Sequence, residues 1–122
     1  MKYTIVPLAE GPFEYCDALS RMAFGLIWDR YKVSDYNVTG AGADSAWYDE
    51  VYDDVFCVYN VGELAQKIGC SERTARRCLD DLQRQGVIFW RRAEYGGANR
   101  YFVTHRTKEY LRRDASLQNS PD

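Results

Sequence analysis

A single histidine, His105, and four cysteines with no two in a Cys-x-x-Cys spacing leave the sequence without a recognisable zinc set. Cys16, Cys57, Cys70 and Cys78 are therefore expected to be reduced, mostly buried thiols. Long apolar runs are missing too. Residues 1–7 lack the apolar core and small-residue cleavage site of a secretory signal, and no stretch reaches membrane-spanning length. These absences predict a cytoplasmic chain with no membrane association, no metal and no cofactor. There is no internal repeat and no low-complexity block, and 122 residues suffice for one core and little more. One domain is expected over residues 1–113, followed by a polar tail over 114–122 that frays from residue 116.

What is present is enough apolar material to fold: 46% hydrophobic against 28% charged residues excludes a disordered chain. The net charge of −2 conceals a strong asymmetry. Residues 1–62 carry four Lys/Arg and ten Asp/Glu, a balance of −6, whereas residues 63–113 carry twelve and six, a balance of +6. A basic half beside an acidic one predicts that the second half meets a polyanion and the first does not.

Residues 3–6 are apolar and β-branched before Pro7, which reads as a short strand or extended arm. Ser20 is a suitable N-cap for a helix through Tyr31, because Leu19, Ala23, Leu26, Ile27 and Tyr31 recur on one face. Met22, Phe24 and Trp28 widen that face beyond a single stripe, so the helix is expected to be central or covered on two sides. Residues 34–54 are rich in Gly, Asp, Asn and Ser and read as a long surface loop. Its carboxylates Asp49, Glu50, Asp53 and Asp54 invite a cation or acid-base reading, but a solvated acidic loop explains them more simply. Residues 55–59 form an apolar run and are expected as a strand.

The informative stretch follows. Asn60 can cap a helix over 61–68 whose Val61, Leu64, Ala65 and Ile68 make a compact inner face. Gly69 ends it, Cys70 can tuck inward, and Ser71 can cap a second helix over 72–85. That connection is the short glycine-containing turn of a helix-turn-helix. The second helix buries Ala75, Cys78, Leu79 and Leu82 and leaves Arg73, Thr74, Arg76, Arg77 and Arg84 outside. A helix fits the major groove, where arginine grips guanine edges or phosphate and the Thr74 methyl can touch thymine. Gly86 stops the helix, and residues 87–104 read as two strands around the Gly96-Gly97 turn, a β-hairpin wing. The expected fold is α+β: a winged helix-turn-helix, recognition motif 60–104, with an N-terminal strand or arm and a helix. Candidate DNA contacts are Ser71, Arg73, Thr74, Arg76 and Arg77 on the helix and Arg91, Arg92, Tyr95, Asn99 and Arg100 on the wing. Arg73, Thr74 and Arg77 are expected to include base-contacting residues, while Arg91 and Arg100 mainly hold phosphate. Phe89 and Trp90 read as a packing pair against the first helix rather than a base-stacking platform.

Three segments extend this reading: LSRMAFGLIWDRYKVSDYN over residues 19–37, VFCVYNVGELAQKIGCSERTARRCLDDLQRQGVI over 55–88, and RRAEYGGANRYFV over 91–103. Together they resemble the N-terminal domain of RepA-type replication initiators from plasmids and related mobile elements of Gram-positive bacteria. The helix-turn-helix is common to many regulators, so the combination with the Leu19-Ser20 start, Asp29-Arg30 and residues 34–37 is what makes the resemblance more specific. The family often places Lys-Pro-Asn after the wing glycine, where this chain has Gly97-Ala98-Asn99. The resemblance implies binding of double-stranded origin DNA, often as a dimer. Such initiators recruit host replication factors through a separate C-terminal portion; the resemblance here covers the winged domain, so it implies only the DNA-binding share of the role.

A small transcriptional regulator of the same fold, or a winged helix used for protein contact, would present the same motif. An enzyme is not expected, since no carboxylates cluster with a histidine around a metal position. A homodimer is expected through the N-terminal arm and first helix, with the arm packing back onto Phe89 and Trp90 as the monomeric alternative.

Overall fold

A computed structural model describes residues 3–40, 45–92 and 98–118, with side chains through residue 114. A long first helix, α1 (Ala18–Thr39), runs through the domain. The hairpin β1 (Tyr48–Asp49) and β2 (Asp54–Val55) follows, then β3 (Cys57–Val58), α2 (Val61–Ile68) and α3 (Glu72–Arg84). The wing strands β4 (Ile88–Arg91) and β5 (Arg100–Val103) precede a last helix, α4 (His105–Gln118). The sheet order is β3-β5-β4, antiparallel throughout, so the strand before the motif pairs with the far wing strand.

The two motif helices form as their caps dictate. Asn60 accepts the Glu63 amide at 3.1 Å, and Ser71 accepts the Thr74 amide at 3.1 Å. At the end of α2, Gly69 takes φ 84°, and the Cys70 amide reaches back to the Ala65 carbonyl at 3.0 Å. Nothing lies within 4 Å of where a Cβ would stand on Gly69, so backbone handedness alone accounts for glycine there. Gly86, at φ 70°, closes α3 in the same manner, with the Val87 amide on the Leu82 carbonyl at 2.9 Å.

Alternation in the wing sorts its two faces. Ile88, Tyr101 and Val103 are buried in the core that α1 and α3 share, and Trp90 packs against its edge. Phe89 and Phe102, paired in register, point to the opposite face and meet Tyr52 at 5.0 and 5.4 Å between ring centroids. Trp90 thus packs inward as expected, whereas Phe89 does not face α1.

Four expectations are corrected. The first helix begins three residues earlier and ends eight residues later than the spacing suggested, and Asp17 is its N-cap. Ser20 is the buried residue whose amide Asp17 accepts, at 2.8 Å. Helix continues past Tyr31 because Ser34 is buried and Val38 packs on the core, so the polar composition of 34–39 belongs to the helix's outer face. The supposed loop over 34–54 therefore holds the end of α1 and a hairpin, and Asp49 is almost fully buried rather than solvated. The run 55–59 is no single strand, since Phe56 interrupts β2 and β3. Last, α4 continues the backbone helix through Gln118, where fraying had been expected from 116.

Residues 3–8 form an extended arm without strand pairing, lying along α1. The Thr4 hydroxyl donates to Asp29 at 2.8 Å, and Arg21 donates to the Pro7 carbonyl at 3.1 Å. Gly25 lets the arm approach: an added Cβ would stand 2.7 Å from the Ile5 carbonyl oxygen and 2.8 Å from Thr4 Cγ2. Among the described residues, these contacts place the arm on α1 rather than on Phe89 and Trp90. Aromatics beyond the inner stripe of α1 are covered from elsewhere, Phe24 by Phe13 at 4.8 Å between centroids, with Tyr110 of α4 behind it. We expect Gly25→Ala to lift the arm from α1. Limited proteolysis should then cut within residues 3–8 well before it cuts the wild-type arm, at a stability cost of about 1–3 kcal/mol.

Candidate nucleic-acid interface

The recognition helix presents its N-terminal turns outward because Ala75, Cys78, Leu79 and Leu82 are all buried. On that outer surface the six arginines and hydroxyls differ sharply in what they are already doing. Arg73 is exposed and its side chain makes no ion pair among the described residues. Arg76 lies 3.4 Å from Glu72 one turn back, a weak exposed pair. Arg77 is held between Asp81 at 2.6 Å and Asp17 at 3.0 Å. Arg84 reaches the other oxygen of Asp81 at 2.9 Å. The Ser71 and Thr74 hydroxyls are 3.1 Å apart, so part of their capacity is spent on the cap.

Asp17 serves two elements at once. Its Oδ1 accepts the Ser20 amide and its Oδ2 accepts from Arg77. The Ser20 amide first, and then the guanidinium, hold this carboxyl below the usual carboxylate range. It is ionised at neutral pH and ties the start of α1 to the middle of α3.

On the wing, Arg91 and Arg100 stand opposite each other in register. Both turn onto Asp49, at 2.6 Å and 3.0 Å respectively. Asp49 also accepts the amides of Val51 at 2.9 Å and Tyr52 at 3.1 Å. Burial works to raise its pKa, but the Arg91, Tyr52 and Arg100 hydrogen bonds outweigh it and leave the carboxyl below its ordinary value. The Arg100 guanidinium further stacks over Phe56 at 4.2 Å. The two wing arginines expected at phosphate are thus anchored inside the protein by a residue that the sequence pattern placed in a solvated loop. Arg92 is exposed, and its side chain has no ion pair among the described residues. Asn99 is half-buried just before β5. Tyr95 lies outside the described residues.

The structure therefore brings Ser71, Arg73, Thr74, Arg76 and Arg77 together on one helix end, with Arg92 as an exposed cation among the described wing residues. Sequence reasoning missed Asp17, Asp49 and Asp81, the carboxylates that decide which arginines are committed. For Asp81 a signal existed, since it stands four residues after Arg77 and three before Arg84. The four cysteines are free; Cys16, Cys57 and Cys78 are buried and Cys70 is half-buried. Burial pushes the Cys57 thiol up to about 12, which makes it inert.

This arrangement of helix pair, three-stranded sheet and wing defines a winged helix-turn-helix domain. Among solved structures it matches a protein described as the N-terminal domain of a DNA-binding protein, at TM-score 0.60 and 16% identity, over 98% of this chain and 90% of that one. A Rep-DNA complex matches at TM-score 0.59 and 16% identity, over 99% and 92%. An MDR initiator matches at 0.57 and 13%, over 93% and 89%. The chain has the fold of these domains along nearly its whole length. No protein-family profile matches the sequence, and no curated protein is detectably similar to it. No helix among the described residues is long and apolar enough to cross a membrane.

Proposed function

We propose that this chain is a non-catalytic, sequence-specific binder of double-stranded DNA, and that it acts as the origin-binding domain of a plasmid or mobile-element replication initiator. The observation that carries the reading is the outer face of α3, where an exposed, uncommitted Arg73 and a weakly paired Arg76 crown a helix whose other side is buried. The start of α3 enters the major groove, Arg73 reads a base edge, and Arg92 follows the adjacent backbone. The likeness to the fold of a Rep-DNA complex supports the initiator assignment.

Selection from a randomised duplex pool, followed by fluorescence anisotropy on the winning site, tests the proposal. Arg73→Ala is expected to cost about 1–3 kcal/mol and to relax preference at one base pair. Arg92→Ala should weaken all sequences alike. A pool that yields no enriched site, or an Arg73→Ala variant with unchanged affinity and preference, would refute the assignment.

The same proposal includes a homodimer formed through the arm. Tyr3, Ile5 and Leu8 are well exposed on the arm, as are Val33 and Tyr36 on α1. This supports a symmetric contact distant from the basic helix end. Gly25→Ala, by displacing the arm, is then expected to sediment as a monomer where the wild-type chain dimerises.

A further inference from the structure

We propose that Asp49 is a positioning residue that sets the direction of the wing, making the β1-β2 hairpin a clamp on the DNA-binding surface; this rests on the DNA-binding reading above. Arg91 and Arg100 form the last register pair before the wing tip. Two guanidinium groups directly opposite each other on one face of an antiparallel pair repel and would splay the strand ends. Asp49 Oδ2 lies between them and accepts Arg91 Nη2 at 2.6 Å, Arg91 Nε at 3.2 Å and Arg100 Nη1 at 3.0 Å. Its Oδ1 is fixed by the backbone amides of Val51 and Tyr52, so the carboxylate has no freedom to follow a moving wing.

Rings complete the seat. Arg91 lies over Tyr52 at 5.4 Å and Arg100 over Phe56 at 4.2 Å, while Tyr52 also packs on Phe89 and Phe102. Asp49 is 1% exposed and the Arg91 side chain 20%, so neither is offered to a phosphate. The carboxylate therefore converts a repulsive rung into an attractive one at the last described pair of the two strands, and the position of residue 92 is determined relative to α3. Without it, Arg92 loses its place beside the groove that α3 occupies.

Two effects of opposite sign are separable. If Asp49 merely masked two phosphate-binding arginines, Asp49→Asn would release them, raise affinity and steepen the salt dependence by about 1.8, at about 0.9 per phosphate. If it positions the wing, the same change lowers affinity about tenfold and flattens the salt dependence by about 0.9, the single phosphate that Arg92 loses. Amide hydrogen exchange of the DNA-free chain gives a readout independent of binding. Exchange should quicken at residues 91 and 100–101 while the amides of α1 to α3 keep their protection. Unchanged wing exchange, or tighter binding with a steeper salt slope, overturns the proposal.

A second variant covers the case in which a lone buried Asn unfolds the chain. Asp49→Leu with Arg91→Met and Arg100→Met replaces the charged clamp by an apolar one of similar bulk. It is expected to retain wing protection and wild-type affinity. Loss of affinity with a slope lower by about 1.8 would show instead that the two arginines themselves hold phosphate. If the wild-type chain bound no duplex, the exchange experiment would still decide whether Asp49 orders the wing.

Discussion

Raising the salt concentration from 50 to 200 mM is expected to weaken duplex binding by about two orders of magnitude. Counterion release makes log K fall with log salt at a slope of about −0.9 per neutralised phosphate. Four cations are placed for contact: Arg73, Arg76 and Arg92, and also Arg77, whose side chain stays 45% exposed beside its carboxylate partners where those of Arg91 and Arg100 are 20% and 33% exposed. Their combined slope is about −3.6, and a fourfold rise in salt then costs a factor of about 150. Counting every basic residue of the 63–113 segment would predict a far steeper fall. The structure makes the smaller number the right one, because Asp49 neutralises part of the wing, Asp54 engages Lys108 at 3.2 Å, and Arg106 is turned onto the Gln85 carbonyl at 2.6 Å. Anisotropy titrations on a fixed duplex at several salt concentrations measure the slope directly. A flat response would remove phosphate contact from the account, and a slope near −9 would mean that the anchored arginines let go of their carboxylates on binding.

Leu82→Ala is expected to produce the largest loss of stability of any single truncation on the recognition helix, about 2–5 kcal/mol. Leu82 is fully buried in the core that α3 shares with α1 and β4, and its carbonyl accepts the Val87 amide that turns the chain into the wing. Truncation leaves a cavity at the point where helix and wing are joined, so relaxation would disturb both elements proposed to contact DNA. Domains of this size have about 5–15 kcal/mol in total. The variant should melt at a markedly lower temperature, read by circular dichroism, yet bind normally well below its transition. Wild-type melting would show that the site collapses around the lost side chain.

The helix-turn-helix was legible because its determinants are local. Asn60, Gly69, Ser71 and Gly86 each act within five residues, through a cap or a left-handed turn, and each stands where the sequence pattern placed it. The arginines on the outer face of α3 were legible for the same reason, since helical spacing sorts them from Ala75, Cys78, Leu79 and Leu82. Asp49 was not, because its burial depends on partners 42 and 51 positions away that only the folded sheet brings near. Segmental charge misled in one respect: it treated the acidic half as remote, whereas Asp17, Asp49 and Asp54 fold back onto the basic half as its counter-ions. The extension of α1 escaped notice because Asp35, Asn37 and Thr39 are weak helix residues whose cost is met by burial of Tyr31 and Ser34. Helix α4 escaped because its charged run shows little apolar stripe beyond Tyr110 and Leu111.

The double duty of Asp17 bears on how such a domain can be retargeted. Engineers often treat a recognition helix as a cartridge, to be swapped while the scaffold stays constant. Here position 77 faces the N-cap of the scaffold's longest helix as well as any nucleic acid. A graft that replaces Arg77 would strand the Asp17 carboxylate beside incoming phosphate, adding a repulsion that the new contacts must overcome. Libraries that vary α3 alone would score that penalty as poor recognition and discard useful sequences. Positions 17 and 77 should be randomised as a pair, with Asn allowed at 17 so that the helix cap survives the loss of charge.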